Sequence, residues 1–177
     1  MMAKGFSGRK FPQHQHELDQ LLDLVRKEGV KRYLEIGARW GDSMHAVGSA
    51  MPKGSEIVVV DIQAITPHLA AQTKAANDLR RKGRVVTLIK GNSRDRETIE
   101  RAAFFAPYDL ILIDGDHSLK GVTADWNNYG AMGRMVAFHD IIAERWQVKP
   151  LWDEIKLRHR HVEFVADSAM GIGVIFR

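Results

Sequence analysis

Tyr33-Leu34-Glu35-Ile36-Gly37-Ala38-Arg39-Trp40-Gly41-Asp42-Ser43 decides how this chain folds. A short apolar run ends in a glycine turn, and a helical pattern over residues 42–51 follows the second glycine. A strand, a tight turn and a helix in that order open a β-α-β unit. Downstream the motif repeats in kind. Ile57-Val58-Val59-Val60 ends at Asp61, and Val85-Val86-Thr87-Leu88-Ile89 ends at Lys90-Gly91-Asn92. Leu110-Ile111-Leu112-Ile113 ends at Asp114, and Met135-Val136-Ala137-Phe138 ends at His139-Asp140. Such runs are apolar on both faces, as buried parallel strands are. Helical segments are expected between them over 67–82, 94–105 and 120–130.

Strands alternating with helices predict right-handed crossovers and a parallel sheet with helices on both faces. Upstream, Leu18, Leu21, Leu22 and Val25 recur at helical spacing, and Gly29 is a stop. The tail departs from the pattern. A helix over 148–159 carries Leu151, Trp152 and Ile155 on one side. Two strands, 161–166 and 171–176, then flank the join Asp167-Ser168-Ala169-Met170. That join is too short for a parallel crossover, so the two must pair antiparallel. The expected fold class is α/β: three layers, Rossmann-like, with a seven-stranded mostly parallel sheet and a C-terminal antiparallel hairpin. Residues 15–177 read as a single domain, and residues 1–14, with Lys4, Arg9 and Lys10, as a mobile basic arm.

Composition narrows the function classes. Twenty-six Lys and Arg against 22 Asp and Glu leave a net charge of +4, too small a surplus to claim nucleic-acid binding. Cysteine is absent, which excludes a disulfide scaffold, a thiolate metal site and a cysteine nucleophile. No apolar run approaches the roughly 18 residues that a membrane span needs. The first ten residues lack a signal-peptide core, so a cytoplasmic location is the default expectation.

In open parallel α/β sheets, ligands bind outside the carboxyl ends of the strands. Five consecutive runs here end in Glu/Gly, Asp, Gly-Asn-Ser, Asp-Gly-Asp-His and His-Asp. Gly37 and Gly41 permit a tight turn and close approach of a ligand, and the helix after them offers free amides to an anion. The pair is not the dinucleotide fingerprint, because Arg39 stands where that motif has a glycine. Asp61 is placed to accept hydrogen bonds from a ribose. Asn92 and Ser93 either face an adenine ring or cap the next helix. Asp114 and Asp140 leave neighbouring strands about 4.8 Å apart and can converge on one ion. Oxygen ligands with one imidazole suit Mg²⁺ or Mn²⁺ better than Zn²⁺. His117 can take a proton near neutral pH. Both histidines can instead satisfy buried carbonyls or cap helices.

The stretch Leu34–Ser43 resembles the first motif of class I S-adenosylmethionine-dependent methyltransferases, and is most similar to the metal-dependent O-methyltransferases of catechol and caffeoyl-CoA type. Asp114-Gly115-Asp116-His117-Ser118 and Ala137-Phe138-His139-Asp140-Ile141 resemble the bacterial branch near the cephalosporin-biosynthesis and macrolide-sugar methyltransferases. The resemblance runs from about Gln15 to Arg177. It implies that Glu35, Gly37, Gly41 and Ser43 line the methionine end of S-adenosylmethionine, that Asp61 holds the ribose, and that Asn92 and Ser93 lie beside the adenine. It further implies Asp114, His139 and Asp140 as ligands of Mg²⁺ or another divalent cation, and His117 with Asp114 as the catalytic pair. Relatives often have an acid at the position of His139. Arg39 and Trp40 receive no role.

The implied reaction is O-methylation of a hydroxyl on a small molecule or sugar. Asp114-Gly115-Asp116-His117 lacks the Asp/Asn-Pro-Pro-Tyr/Phe of amino-group methyltransferases. RNA or another acidic polymer stays open as a substrate, as does a non-catalytic cofactor-binding or scaffold role. The loop 141–148, with Glu144, Arg145 and Trp146, is expected to shape a pocket. Phe104, Phe105, Tyr108, Trp126 and Tyr129 read as helix and core residues. A small domain without an inserted lid is also a candidate homo-oligomer.

Overall fold

A computed structural model describes residues 2–8, 10–63, 65–166 and 170–177, with only the backbone described at 2–4 and 10–14. Arg9 of the basic arm and residues 167–169 of the terminal join lie outside the described residues.

Strands β1 (Met2–Lys4) and β2 (Lys10–His14) pair antiparallel as a small hairpin before helix α1 (Gln15–Lys27). Composition alone did not reveal that pairing in the arm. The β-α alternation then runs β3 (Arg32–Ile36), α2 (Asp42–Ala50), β4 (Glu56–Asp61), α3 (Thr66–Arg81), β5 (Val85–Lys90) and α4 (Arg96–Ala103). It continues through β6 (Tyr108–Ile113), α5 (Leu119–Tyr129), β7 (Gly133–His139), α6 (Val148–Ile155), β8 (Arg160–Phe164) and β9 (Ile172–Phe176). The main sheet has seven strands in the order β5-β4-β3-β6-β7-β9-β8. The first five pair parallel, while β9 runs antiparallel to both β7 and β8. The fold is the Rossmann-like α/β sheet expected, with its terminal hairpin.

The strands lack polar alternation because both faces are covered. Leu21, Val25, Met44, Val47, Ala76 and Leu79 from α1–α3 pack on one face, against Tyr33, Ile57, Val59, Leu110 and Leu112. Ala102, Val122, Leu151, Trp152 and Ile155 from α4–α6 pack on the other, against Leu34, Ile36, Val58, Ile111 and Val136. Each Leu, Ile, Val or Met among them, fully buried, contributes about 1.5–3 kcal/mol. No helix of the described residues is long and apolar enough to cross a membrane.

Three readings of detail change. Helix α4 is shorter than 94–105, because Gly91–Asp95 form a turn before it. The helix expected over 148–159 ends at Ile155, and a 3₁₀ turn follows at Lys156–Arg158. Phe104 is not a core residue. It lies past the end of α4 and is 82 % exposed, with its ring edge-on to Phe105.

The sheet order reverses around β3, whose neighbours β4 and β6 lead off in opposite directions. That is the switch point where a crevice opens at the carboxyl ends of the strands.

Candidate active site

A cavity of about 630 Å³ occupies that crevice, within the range of about 300–1,000 Å³ typical of ligand pockets. The ends of all five parallel strands contribute to its wall: Gly37 after β3, Asp61 on β4, Asn92 and Ser93 after β5, Asp114 and His117 after β6, and His139 and Asp140 at the end of β7. Ser43, in the first turn of α2, lines it too.

The first turn is held by local chemistry. Gly37 adopts φ +84° and Gly41 φ +75°, in the left-handed region that glycine tolerates. Asp61 Oδ2 accepts the amides of Ala38 at 2.8 Å and Arg39 at 2.9 Å, and Oδ1 accepts that of Gln63 at 2.5 Å. Asp61 therefore anchors the glycine turn as well as facing the cavity. A carboxylate has about four acceptor positions, so one remains for a ligand.

Glu35 and Gly41 do not line the cavity, which corrects their expected place. Glu35 is fully buried and accepts hydrogen bonds from Ser43 Oγ and from Tyr33 Oη, the latter at 2.9 Å. Burial pushes its carboxyl up to about 8, against the pull of those two hydroxyls. Glu35 is hydrogen-bonded to the cavity wall through Ser43. Gly41 packs instead near Met44 and Gln72.

Asn92 and Ser93 do not cap α4, whose N-cap is Asp95. Asn92 Oδ1 accepts the amide of Arg94 at 3.0 Å, and the Ser93 carbonyl accepts Tyr129 Oη at 2.8 Å. The loop is thus fixed by the Asn92 side chain and the Ser93 carbonyl, with both residues on the cavity wall.

The densest charge lies at the ends of β6 and β7. His117 Nε2 is 3.1 Å from Asp114 Oδ1 and 3.6 Å from Asp140 Oδ2. His139 Nδ1 is 3.3 Å from the same Asp114 oxygen and 3.3 Å from Asp140 Oδ2. Burial would raise the Asp114 carboxyl, yet His139 and His117 beside it hold it down at about 2. Burial would lower the His139 imidazole, but Asp114 and Asp140 push it up to about 10. The hydrogen bond with Asp114 raises His117, against its partial burial. Asp140 has φ +64°, an uncommon backbone state that aims its carboxyl at the cluster.

Asp114, His117 and Asp140 each offer a ligand atom, all within 4.8 Å of one another. The expected metal set was Asp114, His139 and Asp140; the structure groups His117, not His139, with the two carboxylates, while His139 Nδ1 faces those same carboxylates. Among the described residues, His139 Nε2 and Asp140 Oδ1 are buried without a hydrogen-bond partner. Two carboxylates, imidazole nitrogens and an unanswered carboxylate oxygen fit a hard divalent cation.

Sequence reasoning left several lining residues without a role: Arg39, Trp40, His68 and Met170. The Trp40 ring meets His68 edge-on at 4.4 Å, joining the glycine turn to the start of α3. Only the loop 141–148 carried a usable cue, its length, and Arg145 and Trp146 from it do line the cavity. Glu144 does not.

Comparisons with known proteins agree with this fold. Among solved structures, an O-methyltransferase of Bacillus cereus, determined with SAH, superposes with a TM-score of 0.72 over 93% of this chain and 82% of its own, at 15% identity. The O-methyltransferase TomG of Streptomyces achromogenes, involved in tomaymycin synthesis and determined with SAM, gives 0.71 over 94% and 82% at 14% identity. A methyltransferase of Geobacter sulfurreducens gives 0.65 over 93% and 79% at 13% identity. At these identities the likeness is one of fold. No curated protein sequence matches significantly. A sequence profile described as a methyltransferase domain matches residues 34–141. That span is more than half of the chain and runs from the first strand of the glycine turn to the residue after Asp140, so the chain belongs to the methyltransferase domain family.

Proposed function

We propose that this protein transfers a methyl group from S-adenosylmethionine to a hydroxyl of a small-molecule acceptor, with a divalent cation assisting. One observation carries the reading: a single cavity joins the glycine turn and Asp61 to the Asp114, His117, His139 and Asp140 cluster.

In this reading Gly37 and Ser43 border the methionine part of the donor, and α2's first turn offers amides to its carboxylate. Asp61 accepts a ribose hydroxyl with its remaining lone pair. Asn92 and Ser93 border the adenine. Asp114 and Asp140 would hold the cation, with His139 facing the same two carboxylates. When bound, such a cation supplies a lowered pKa for the acceptor hydroxyl. His117, the more open of the two imidazoles, donates Nε2–H to Asp114 at 3.1 Å, which leaves Nδ1 to accept the proton. The acceptor oxygen forms the new bond to the methyl carbon, the carbon–sulfur bond breaks, and its electron pair stays on sulfur as S-adenosylhomocysteine leaves. The cavity wall contributes by holding both reactants, which makes the encounter intramolecular.

Thermal denaturation with ligands tests the reading. S-adenosylhomocysteine at about 100 times its Kd stabilises by about 2.7 kcal/mol, which for a chain of this size raises Tm by roughly 5–10 °C. NAD at the same concentration leaves Tm unchanged. A rise with NAD and none with S-adenosylhomocysteine overturns the assignment.

A further inference from the structure

We infer that Arg145 is the anion-recognising residue of the acceptor site, so that the hydroxyl substrate carries a carboxylate or similar anionic group. The inference rests on the methyl-transfer reading above and adds the substrate's charge to it.

The guanidinium of Arg145 lies over the Trp146 ring, 4.9 Å from its centroid, and Nη2 rests 3.8 Å from Met170 Sδ. Trp146 in turn leans on His117, with ring centroids 4.8 Å apart. The charge is therefore held by an indole face and a thioether, at the cluster's end of the cavity. Among the described residues, no carboxylate pairs with it. The carboxylates of the cavity face other partners: Asp114 and Asp140 Oδ2 the two imidazoles, Asp61 main-chain amides, Asp42 the amide and hydroxyl of Ser7, and Asp116 Arg94 at 3.5 Å. A guanidinium supported from one side by an aromatic face keeps its planar fork of donors free for a carboxylate or phosphate.

The segment that carries Arg145 is tied down on both sides. The Gln147 amide donates to the His117 carbonyl at 2.9 Å, and Gln147 Oε1 accepts the Leu119 amide at 3.1 Å. The Ile142 amide donates to the Met170 carbonyl at 3.0 Å. Arg145 thus stands on a fixed loop, and binding an anion requires little ordering. The donor's own carboxylate does not explain this arginine. By the reading above it lies at the glycine turn and Ser43, away from the wall that Arg145 and Trp146 form beside His117. The anion that Arg145 awaits therefore belongs to the acceptor.

The test uses the full chain loaded with S-adenosylhomocysteine and two probes matched in shape, 3,4-dihydroxybenzoate and 3,4-dihydroxybenzamide. Isothermal titration is run on wild type, Arg145→Gln and Arg145→Lys. The benzoate should bind wild type at least tenfold more tightly than the benzamide. Arg145→Gln should bring the two within twofold, with S-adenosylhomocysteine affinity unchanged. Arg145→Lys should keep part of the preference, since it keeps the charge but not the fork. Equal binding of the two probes, no binding of the benzoate, or a preference that survives Arg145→Gln overturns the anion site while the methyltransferase reading stands. Failure of all three proteins to bind S-adenosylhomocysteine removes that reading first, and the anion site with it.

Discussion

Gly37 lies so close to the backbone of Asp114 that a Cβ on it would sit 2.4 Å from the Asp114 carbonyl oxygen. The glycine turn after β3 and the carboxylate cluster after β6 are thus one joint, and neither can shift alone. Gly37→Ala would add left-handed strain of about 1–2 kcal/mol to a clash with backbone that no rotamer change relieves. We expect a lowered Tm together with at least tenfold weaker binding of S-adenosylhomocysteine by calorimetry. A variant with wild-type Tm and affinity would show that the joint is not rigid.

Asp61 gives a second prediction. Its two oxygens accept three amides from the turn and from Gln63. Asn at this position has one acceptor oxygen, and its NH₂ would face an amide donor. An unsatisfied buried donor costs about 1–3 kcal/mol. Asp61→Asn should lose stability in urea denaturation and bind S-adenosylhomocysteine at least tenfold more weakly. A loss of affinity with no loss of stability would mean that Asp61 acts on the ligand alone and does not hold the turn.

Much of this was legible in the residues because a parallel sheet covered on both faces writes itself as β-branched runs. The terminal hairpin followed from a join too short to cross over. The strand-end acids and histidines were legible for the same reason, since each ends a run that can be nothing but buried. What the sequence hid depends on side-chain direction. Glu35 and Ser43 are eight residues apart, and only the turn between them shows that one stands behind the other. The share of Asp61 taken by main-chain amides has no trace in composition. The convergence of the strand-end acids and histidines was legible, but not which imidazole nitrogen faces them, because strand spacing brings loops together without fixing which nitrogen points inward. Trp40, His68 and Met170 reach the cavity through long-range packing that no local pattern records.

The buried carboxyl of Glu35 predicts a pH dependence. Its folded pKa of about 8 exceeds its ordinary 4.5, so the folded state favours the protonated form. Its contribution is fully present below the ordinary value and is lost as pH rises through about 8. Glu35→Gln keeps an acceptor for one of the two hydroxyls, offers its NH₂ to the oxygen of the other, and carries no ionisable group. Between pH 6 and pH 9 the wild-type Tm should fall further than that of Glu35→Gln, leaving the variant the more stable at pH 9. Parallel Tm profiles would show that Glu35 stays ionised in the folded protein.

The Asp114–Asp140 pair predicts metal binding that can be read without turnover. Hard divalent cations take carboxylate oxygens, and Asp140 Oδ1 is buried without a partner. Mn²⁺ added to the protein should lose its free-ion electron paramagnetic resonance signal at one equivalent, and EDTA should restore it. Asp140→Asn removes one charge but preserves shape, so Mn²⁺ affinity should drop at least tenfold while S-adenosylhomocysteine binding stays within twofold. Asp140 adopts φ +64°, a state that Asn tolerates as well as Asp, so a fall in Mn²⁺ affinity would report the lost charge and not a collapsed turn. If wild type and variant bind Mn²⁺ alike, the two carboxylates serve the imidazoles and not an ion, and proton removal falls to His117 held by Asp114.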